Sequence, residues 1–381
     1  MDSAQLANYA RYDIEFARGE GVTLYDSDGN EYLDFLSGLG VNSLGHCHPE
    51  VVDAIERQSK QLIHSSNLFW TEPAEQLAEA LVAGSFAEKA FFCNSGAEAN
   101  EAAIKLARAH ALGRGSNARE IVSLENAFHG RTMGALSATP QEDKQAPFKP
   151  LVHGFRTAPK EDAEALRAAI TPDTCAVIIE PVQGEGGVFV VSDDVMVAAR
   201  EACDAVGALL IFDEVQCGLG RTGKLYAHQH TPVEPDVMTL AKALGGGLPI
   251  GAMLTAEHCA GALKPGYHGS TFGGNPVTCA AALAAYKLLS DPSLLDHVEQ
   301  LGALFAERLK SFGEVFGRGL MLGVALEPGR DAPKLAGRMI LEQRVIANAT
   351  GPERLRFLPP LIARETDVER ALAALSAVIS R

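Results

Sequence analysis

Lys242 follows the apolar run 237–240 and precedes Ala243-Leu244-Gly245-Gly246-Gly247. A lysine at the end of a buried strand loses water, and desolvation lowers its pKa and makes the amine a nucleophile. Three successive glycines let a bulky ligand approach the backbone. A lysine that snorkels from a loop is the alternative. Asp213 and Glu214 follow another apolar run, 208–212. An acid at the carboxyl end of a buried parallel strand sits where open α/β sheets bind ligands. Such a carboxylate is seldom buried without a partner, so Asp213 calls for a cation or a hydrogen-bond donor, and a plain salt bridge would also satisfy it.

Residues 94–101 read Asn-Ser-Gly-Ala-Glu-Ala-Asn-Glu. Ser95 can cap a helix that starts near Ala97, and Glu98 completes the pattern of a capping box. Gly96 lets a ligand come close, and free N–H groups at a helix start favour a phosphate. An ordinary capped helix fits the same residues equally well.

Two other motifs fail on context. Gly-Leu-Gly-Arg-Thr-Gly at 218–223 matches both a dinucleotide fingerprint and most of a Walker loop. No helical period follows it, and Leu225 stands where the Walker loop needs Ser or Thr, so a flexible, backbone-determined loop is expected. His46-Cys47-His48 cannot close a tetrahedral metal site with one residue between the histidines, and no metal is expected.

These residues need a scaffold. Runs at 90–93, 120–124, 175–180, 208–212, 237–240 and 250–254 are nearly continuous in apolar residues, as parallel strands covered on both faces are. Helical patterns at 97–113, 161–169 and 195–206 alternate with them and predict a doubly wound, mostly parallel α/β sheet. After about residue 276 the texture changes. Long helices at 277–289 and 294–312, short strands at 320–326 and 355–358, and a last helix at 367–380 predict a smaller α+β domain. Asp28-Gly29 between 23–25 and 32–35 predicts a hairpin.

The chain has 381 residues, enough for two or three domains. Its net charge of −15 disfavours nucleic acid as the main partner. No long apolar run predicts a membrane span. Seven widely spaced cysteines, with no Cys-x-x-Cys, predict reduced thiols in the cytoplasm rather than a disulfide framework.

A helix start for a phosphate, an acid at one strand end and a lysine 29 residues later form a pyridoxal phosphate (PLP) constellation. The chain resembles the class III aminotransferases of PLP fold type I, and within them the acetylornithine aminotransferase branch. The likeness runs nearly end to end, through Tyr32-Leu33-Asp34-Phe35, Gly45-His46-Cys47-His48-Pro49, Phe92-Cys93-Asn94-Ser95-Gly96, Phe128-His129-Gly130-Arg131-Thr132, residues 180–187, Asp213-Glu214-Val215-Gln216, Lys242, residues 269–276 and Arg356-Phe357-Leu358-Pro359-Pro360. Each segment is weak alone; their joint order is specific.

The resemblance implies a large PLP-binding domain at 46–276, a small C-terminal domain at 277–381, and an N-terminal segment at 1–45 that packs with the small domain. It implies that Lys242 links covalently to PLP and then moves the proton, and that Asp213 pairs with the pyridine nitrogen. Phe128 would stack on the ring and Gln216 would bond its oxygen. Ser95, Gly96 and Ala97 would hold the phosphate. Many relatives have Thr at position 97, so Ala97 implies modestly weaker retention. Thr271, with Ser270, would reach the phosphate from a second subunit of a homodimer. Arg131 would take the carboxylate of an ω-amino substrate, and Arg356 the α-carboxylate of glutamate. Glu185 would pair with Arg356 between the two half-reactions, and Trp70 would lie at the substrate entrance, in the core or at an interface.

The expected reaction moves the terminal amine of N2-acetyl-L-ornithine to 2-oxoglutarate. Ornithine, succinylornithine, succinyl-diaminopimelate, acetyl-lysine and 4-aminobutyrate are competing donors. Leu39 with Phe69-Trp70 favours an acylated donor. A catalytically silent PLP-fold protein and a nicotinamide-dependent dehydrogenase are rivals of other classes.

Overall fold

The computed structural model describes residues 4–380; residues 1–3 and 381, at the outer ends of the first and last expected segments, lie outside them. Near the N-terminus an antiparallel meander runs through β1 (Phe16–Glu20), β2 (Thr23–Asp26) and β3 (Glu31–Asp34). Its expected turn is fastened by Asp26, whose Oδ1 accepts from the amides of Asp28 and Asn30. Gly29 supplies the positive φ of 83°.

The large sheet holds β4 (Lys89–Cys93), β5 (Glu120–Leu124), β6 (Phe155–Ala158) and β7 (Thr174–Ile179). A two-residue hairpin follows, β8 (Val182–Gln183) with β9 (Phe189–Val190). The sheet then gains β10 (Leu209–Asp213), β11 (Val237–Leu240) and β12 (Gly251–Thr255), in the order β4-β12-β11-β10-β7-β5-β6. Strands β7, β10 and β11 are buried at every residue, as their continuous apolar runs require. Alternate residues serve the two faces. Ala176 and Ile178 pack with the helix Gly96–Gly113, and Val177 and Ile179 with the helix Asp193–Val206.

One strand departs from the parallel reading: β12 runs antiparallel to both neighbours. Only residues 241–250 join it to β11, and a parallel crossover needs a dozen residues or more. The edge strand β6 and the helices Pro49–Ser59 and Glu72–Ala83 were not among the expected elements.

Beyond residue 276, the helices Pro276–Leu289 and Pro292–Leu309 lead into β13 (Gly313–Arg318) and β14 (Met321–Leu326). After them come β15 (Val345–Ile346), β16 (Asn348–Ala349), β17 (Arg354–Phe357) and the helix Glu365–Ile379. Strands β13-β14-β17-β16 form one antiparallel sheet, and β15 joins β3 in parallel. The N-terminal segment is fastened further by Phe35, whose N–H donates to Ile346 and whose carbonyl accepts from Leu358. A single apolar cluster joins Leu33 and Phe35 to Leu240, Phe305, Leu322 and Phe357. No described helix is long and apolar enough to cross a membrane.

Candidate active site

The carboxyl ends of β4, β10 and β11 open on one cavity of about 460 Å³. Its wall brings together Ser95, Gly96, Ala97, Phe128, Arg131, Glu185, Asp213, Gln216 and Lys242.

At the end of β4, Ser95 caps the helix Gly96–Gly113 by accepting from the Glu98 amide at 3.2 Å. The capping box is altered. The Glu98 carboxylate reaches Asn94 N–H at 2.6 Å rather than the cap residue's own amide. The N–H groups of Ser95, Gly96 and Ala97 therefore remain without partners among the described residues, which is the arrangement an anion needs. Glycine is required at 96, because a Cβ there would lie 2.6 Å from Val215.

Asp213, at the end of β10, is buried and accepts three hydrogen bonds. Its Oδ2 takes Asn100 Nδ2 at 2.7 Å and His129 Nδ1 at 2.8 Å, and its Oδ1 takes Val215 N–H at 3.0 Å. These three donors satisfy a carboxylate that burial has taken out of water. Thr239 holds Asn100 in turn, donating to its Oδ1 at 2.7 Å. The His129 ring is fully buried and its Nε2 has no partner.

Lys242 follows β11 at φ 40°, and its Nζ has no hydrogen-bond partner among the described residues. Desolvation first, and Arg356 second, lower its pKa to about 8, against the opposing pull of Glu185, Asp213 and Glu180. Glu180 accepts Phe128 N–H at 2.9 Å. Burial, then the nearby Asp213 charge, push its carboxyl well above the usual range.

Arg356 of β17 is fully buried. Its Nη1 donates to Glu185 Oε1 at 2.6 Å and to Gln216 Oε1 at 3.2 Å, its Nε donates to Asn348 Oδ1 at 3.1 Å, and its Nη2 is unpartnered. Burial pushes the Glu185 carboxyl up, but the charge and hydrogen bond of Arg356 outweigh it and leave the pKa lowered. Arg131 is exposed, with Cζ 5.3 Å from the Phe128 ring centroid.

Other expected residues lie elsewhere in the chain. Trp70, Ser270 and Thr271 line a second cavity of about 340 Å³ with Asn67 and Phe69. Trp70 is 88% exposed, which removes the core reading. Asn94 Nδ2 donates to Ser270 Oγ at 3.2 Å, linking the two cavities. Leu39 lies beside Gln216 instead, its carbonyl 3.5 Å from Nε2.

Residues 218–223 are not a flexible loop but a buried turn. Arg221 is fully buried there and donates to Leu320 O, Pro359 O and Ser43 Oγ, so side-chain bonds and not backbone alone fix its path. His46 Nε2 lies 2.8 Å from Asp34 Oδ2, which occupies the histidine in the N-terminal segment. No group of three or more metal-ligating side chains gathers among the described residues. Asn100, His129 and Glu180 were missed as site residues. Glu180 carried the same signal as Asp213, an acid closing an apolar run.

The comparisons with known proteins agree with this geometry. The family model of class III aminotransferases matches residues 5–379. The acetylornithine aminotransferase of Methanocaldococcus jannaschii is 49% identical over 98% of this chain and 95% of its own length. The N-acetylornithine aminotransferase of Stenotrophomonas maltophilia K279a superposes with a TM-score of 0.86 at 37% identity, covering 98% of this chain and 97% of that one. An ornithine aminotransferase from Toxoplasma gondii, described with partial occupancy of PLP at its active site, gives a TM-score of 0.93 at 34% identity over 99% of this chain and 93% of that one. With a lysine, an acid and an anion turn meeting at one sheet edge, and a family match of this length, the chain belongs to the class III aminotransferases.

Proposed function

We propose that this aminotransferase moves the terminal amino group of N2-acetyl-L-ornithine to 2-oxoglutarate, giving N-acetylglutamate 5-semialdehyde and L-glutamate. The observation that carries the reading is the ion pair between the buried Arg356 and Glu185, a residue that lines the cavity that holds Lys242. One site must accept first a terminal amine and then an α-keto acid with its carboxylate. A guanidinium that a nearby carboxylate can cover or release meets both needs. The names of the relatives support the acylated donor.

The residues fit PLP as cofactor. The free amides of Ser95, Gly96 and Ala97 would hold its phosphate, Phe128 would cover one ring face, and Gln216, on the same cavity wall, would bond the ring oxygen. When bound, PLP supplies an electron sink for the charge that develops at the amine-bearing carbon. Asp213, fixed by Asn100, His129 and the Val215 amide, would hold a proton on the ring nitrogen. Lys242 Nζ, with its pKa near 8, takes the proton from the amine-bearing carbon of the donor and delivers one to the corresponding carbon of the acceptor. Arg131 holds the donor's carboxylate, and Arg356 the acceptor's α-carboxylate, each suited to bidentate binding.

The exposed Trp70 and Thr271, next to the half-buried Ser270, support a homodimer in which Thr271, with Ser270, completes the partner's phosphate site. We place the small domain at 277–381, the large one at 46–276, and the segment 1–45 against the small domain. The enzyme works on small molecules in the cytoplasm.

A panel of kcat/KM values over acetylornithine, ornithine, succinylornithine, succinyl-diaminopimelate, acetyl-lysine and 4-aminobutyrate, with 2-oxoglutarate as acceptor, tests the reading. Acetylornithine should lead by tenfold or more. A higher value for free ornithine would replace it as the substrate.

A further inference from the structure

Arg354 and Arg356 are two residues apart on β17 and so share one face of its sheet. Arg356 grips the side chain of Glu185. Arg354 grips the backbone of the same loop: its Nη1 donates to the Gly187 carbonyl at 2.9 Å. The contact is fitted on both sides. Gly187 has φ 95°, and a Cβ there would lie 2.3 Å from Arg354 Nη1. The guanidinium rests on the Phe316 ring, with Cζ 4.0 Å from the centroid. Phe316 of β13 faces Gly323 of β14, which in turn faces Arg356, so all belong to one surface. Val188 completes the attachment. It is fully buried at φ 58°, and Cβ atoms added at Gly317 or Gly323 would lie 2.7 and 3.1 Å from its methyl groups.

We propose that Arg354 is a positioning residue for substrate alternation: it pins the 184–188 loop to β17 so that Glu185 covers and uncovers Arg356 by side-chain rotation alone. The proposal rests on the two-substrate reading given above. A carboxylate on a fixed backbone competes for Arg356 at high local concentration, because little chain entropy is lost when the pair forms. Freed from Arg354, the loop carries Glu185 away part of the time. Arg356 then stands open while the ω-amino donor binds, and the donor's own α-carboxylate or a free dicarboxylate can occupy it.

The test uses glutarate, a dicarboxylate without a reactive carbon, titrated into the purified holoenzyme as an equilibrium ligand. Arg354→Met should bind glutarate threefold or more tighter than wild type. Its kcat/KM for the ω-amino donor should fall threefold or more, while that for 2-oxoglutarate holds or rises. Phe316→Leu, which removes the platform and keeps the arginine, should shift both readings in the same direction by less; it carries the test if Arg354→Met does not fold. Unchanged glutarate affinity, or an equal loss of kcat/KM for both substrates, would overturn the proposal. Glu185→Ala in the same assays separates the two levels. If it leaves glutarate affinity unchanged, the covering of Arg356 fails and the two-substrate reading with it. If it tightens glutarate and Arg354→Met does not, only the role of Arg354 is overturned.

Discussion

Arg356 meets Glu185 through Nη1 alone, at 2.6 Å, and leaves its Nη2 buried without a partner. An unsatisfied donor of this kind costs about 1–3 kcal/mol, which a bound carboxylate would relieve. Arg356→Lys keeps the charge and loses the fork. It should raise KM for 2-oxoglutarate about tenfold or more and change the donor half-reaction, followed by single-turnover absorbance, by less than about threefold. Equal losses in both half-reactions would remove Arg356 from its assigned role.

Lys242 gives a pH prediction. Its pKa falls from 10.5 to about 8, chiefly because desolvation disfavours the charged amine. Recombination of PLP with the apoenzyme needs the neutral amine, so its rate should rise up to about pH 8 and level off above it. Between pH 8 and 10.5 the unfolded chain binds more protons at this site than the folded one, so its contribution to the stability of the apoenzyme rises with pH over that window. Stopped-flow absorbance and urea melts at several pH values check both signs. Lys242→Ala should abolish turnover and both pH effects.

The Asp213 carboxylate depends on its donors. Asp213→Asn should slow turnover by orders of magnitude. Asn100→Ala removes the 2.7 Å bond and leaves His129 alone on Oδ2, with the Val215 amide on Oδ1. Removing one donor to a buried charge costs about 1.5–3 kcal/mol, so kcat should fall about tenfold to a hundredfold. A rate within twofold of wild type would mean that His129 and the Val215 amide suffice.

Sharing of the site between subunits can be read by complementation. Lys242→Ala and Thr271→Ala each damage a different part of the site. If Thr271 completes the partner's site, as proposed, a mixed dimer carries both lesions at one site and neither at the other. Mixing the two inactive or weakened proteins after dissociation should restore up to about a quarter of wild-type activity, since half of the dimers are hybrids with one intact site. No recovery would place Thr271 in the same site as Lys242 of its own chain.

Arg131 is exposed beside Phe128 and carries no ion pair among the described residues. Arg131→Ala should raise KM for the ω-amino donor more than for glutamate. Steady-state kinetics with each substrate varied in turn decide the matter, and equal changes would remove the division of labour between Arg131 and Arg356.

The strands that carry Asp213 and Lys242 were legible because burial on both faces leaves an unbroken apolar run that ends abruptly at the functional residue. The helix that starts at Gly96 was legible from Ser95, its cap. The direction of β12 was not, since an apolar run carries no sign of orientation; only the length of its connection does. His129 and Asn100 escaped for a related reason. Each matters through contact with Asp213, 84 and 113 positions away, and no local pattern encodes such a meeting. The turn at 218–223 misled because its glycines suggest freedom, whereas Arg221 between them reaches three distant partners.

The reversed strand has a mechanical meaning. Because β12 runs back, its first residue, Gly251, lies opposite Cys93, the last of β4, and the Gly251 position approaches Ser95 so closely that a Cβ would lie 2.4 Å from its carbonyl oxygen. The segment that leaves Lys242 is thus bolted to the turn proposed to hold the phosphate. Neither can drift without the other, so the distance between amine and anion seat is set by ten residues of chain and a strand pairing. The two should open together as one cooperative unit in native-state hydrogen exchange.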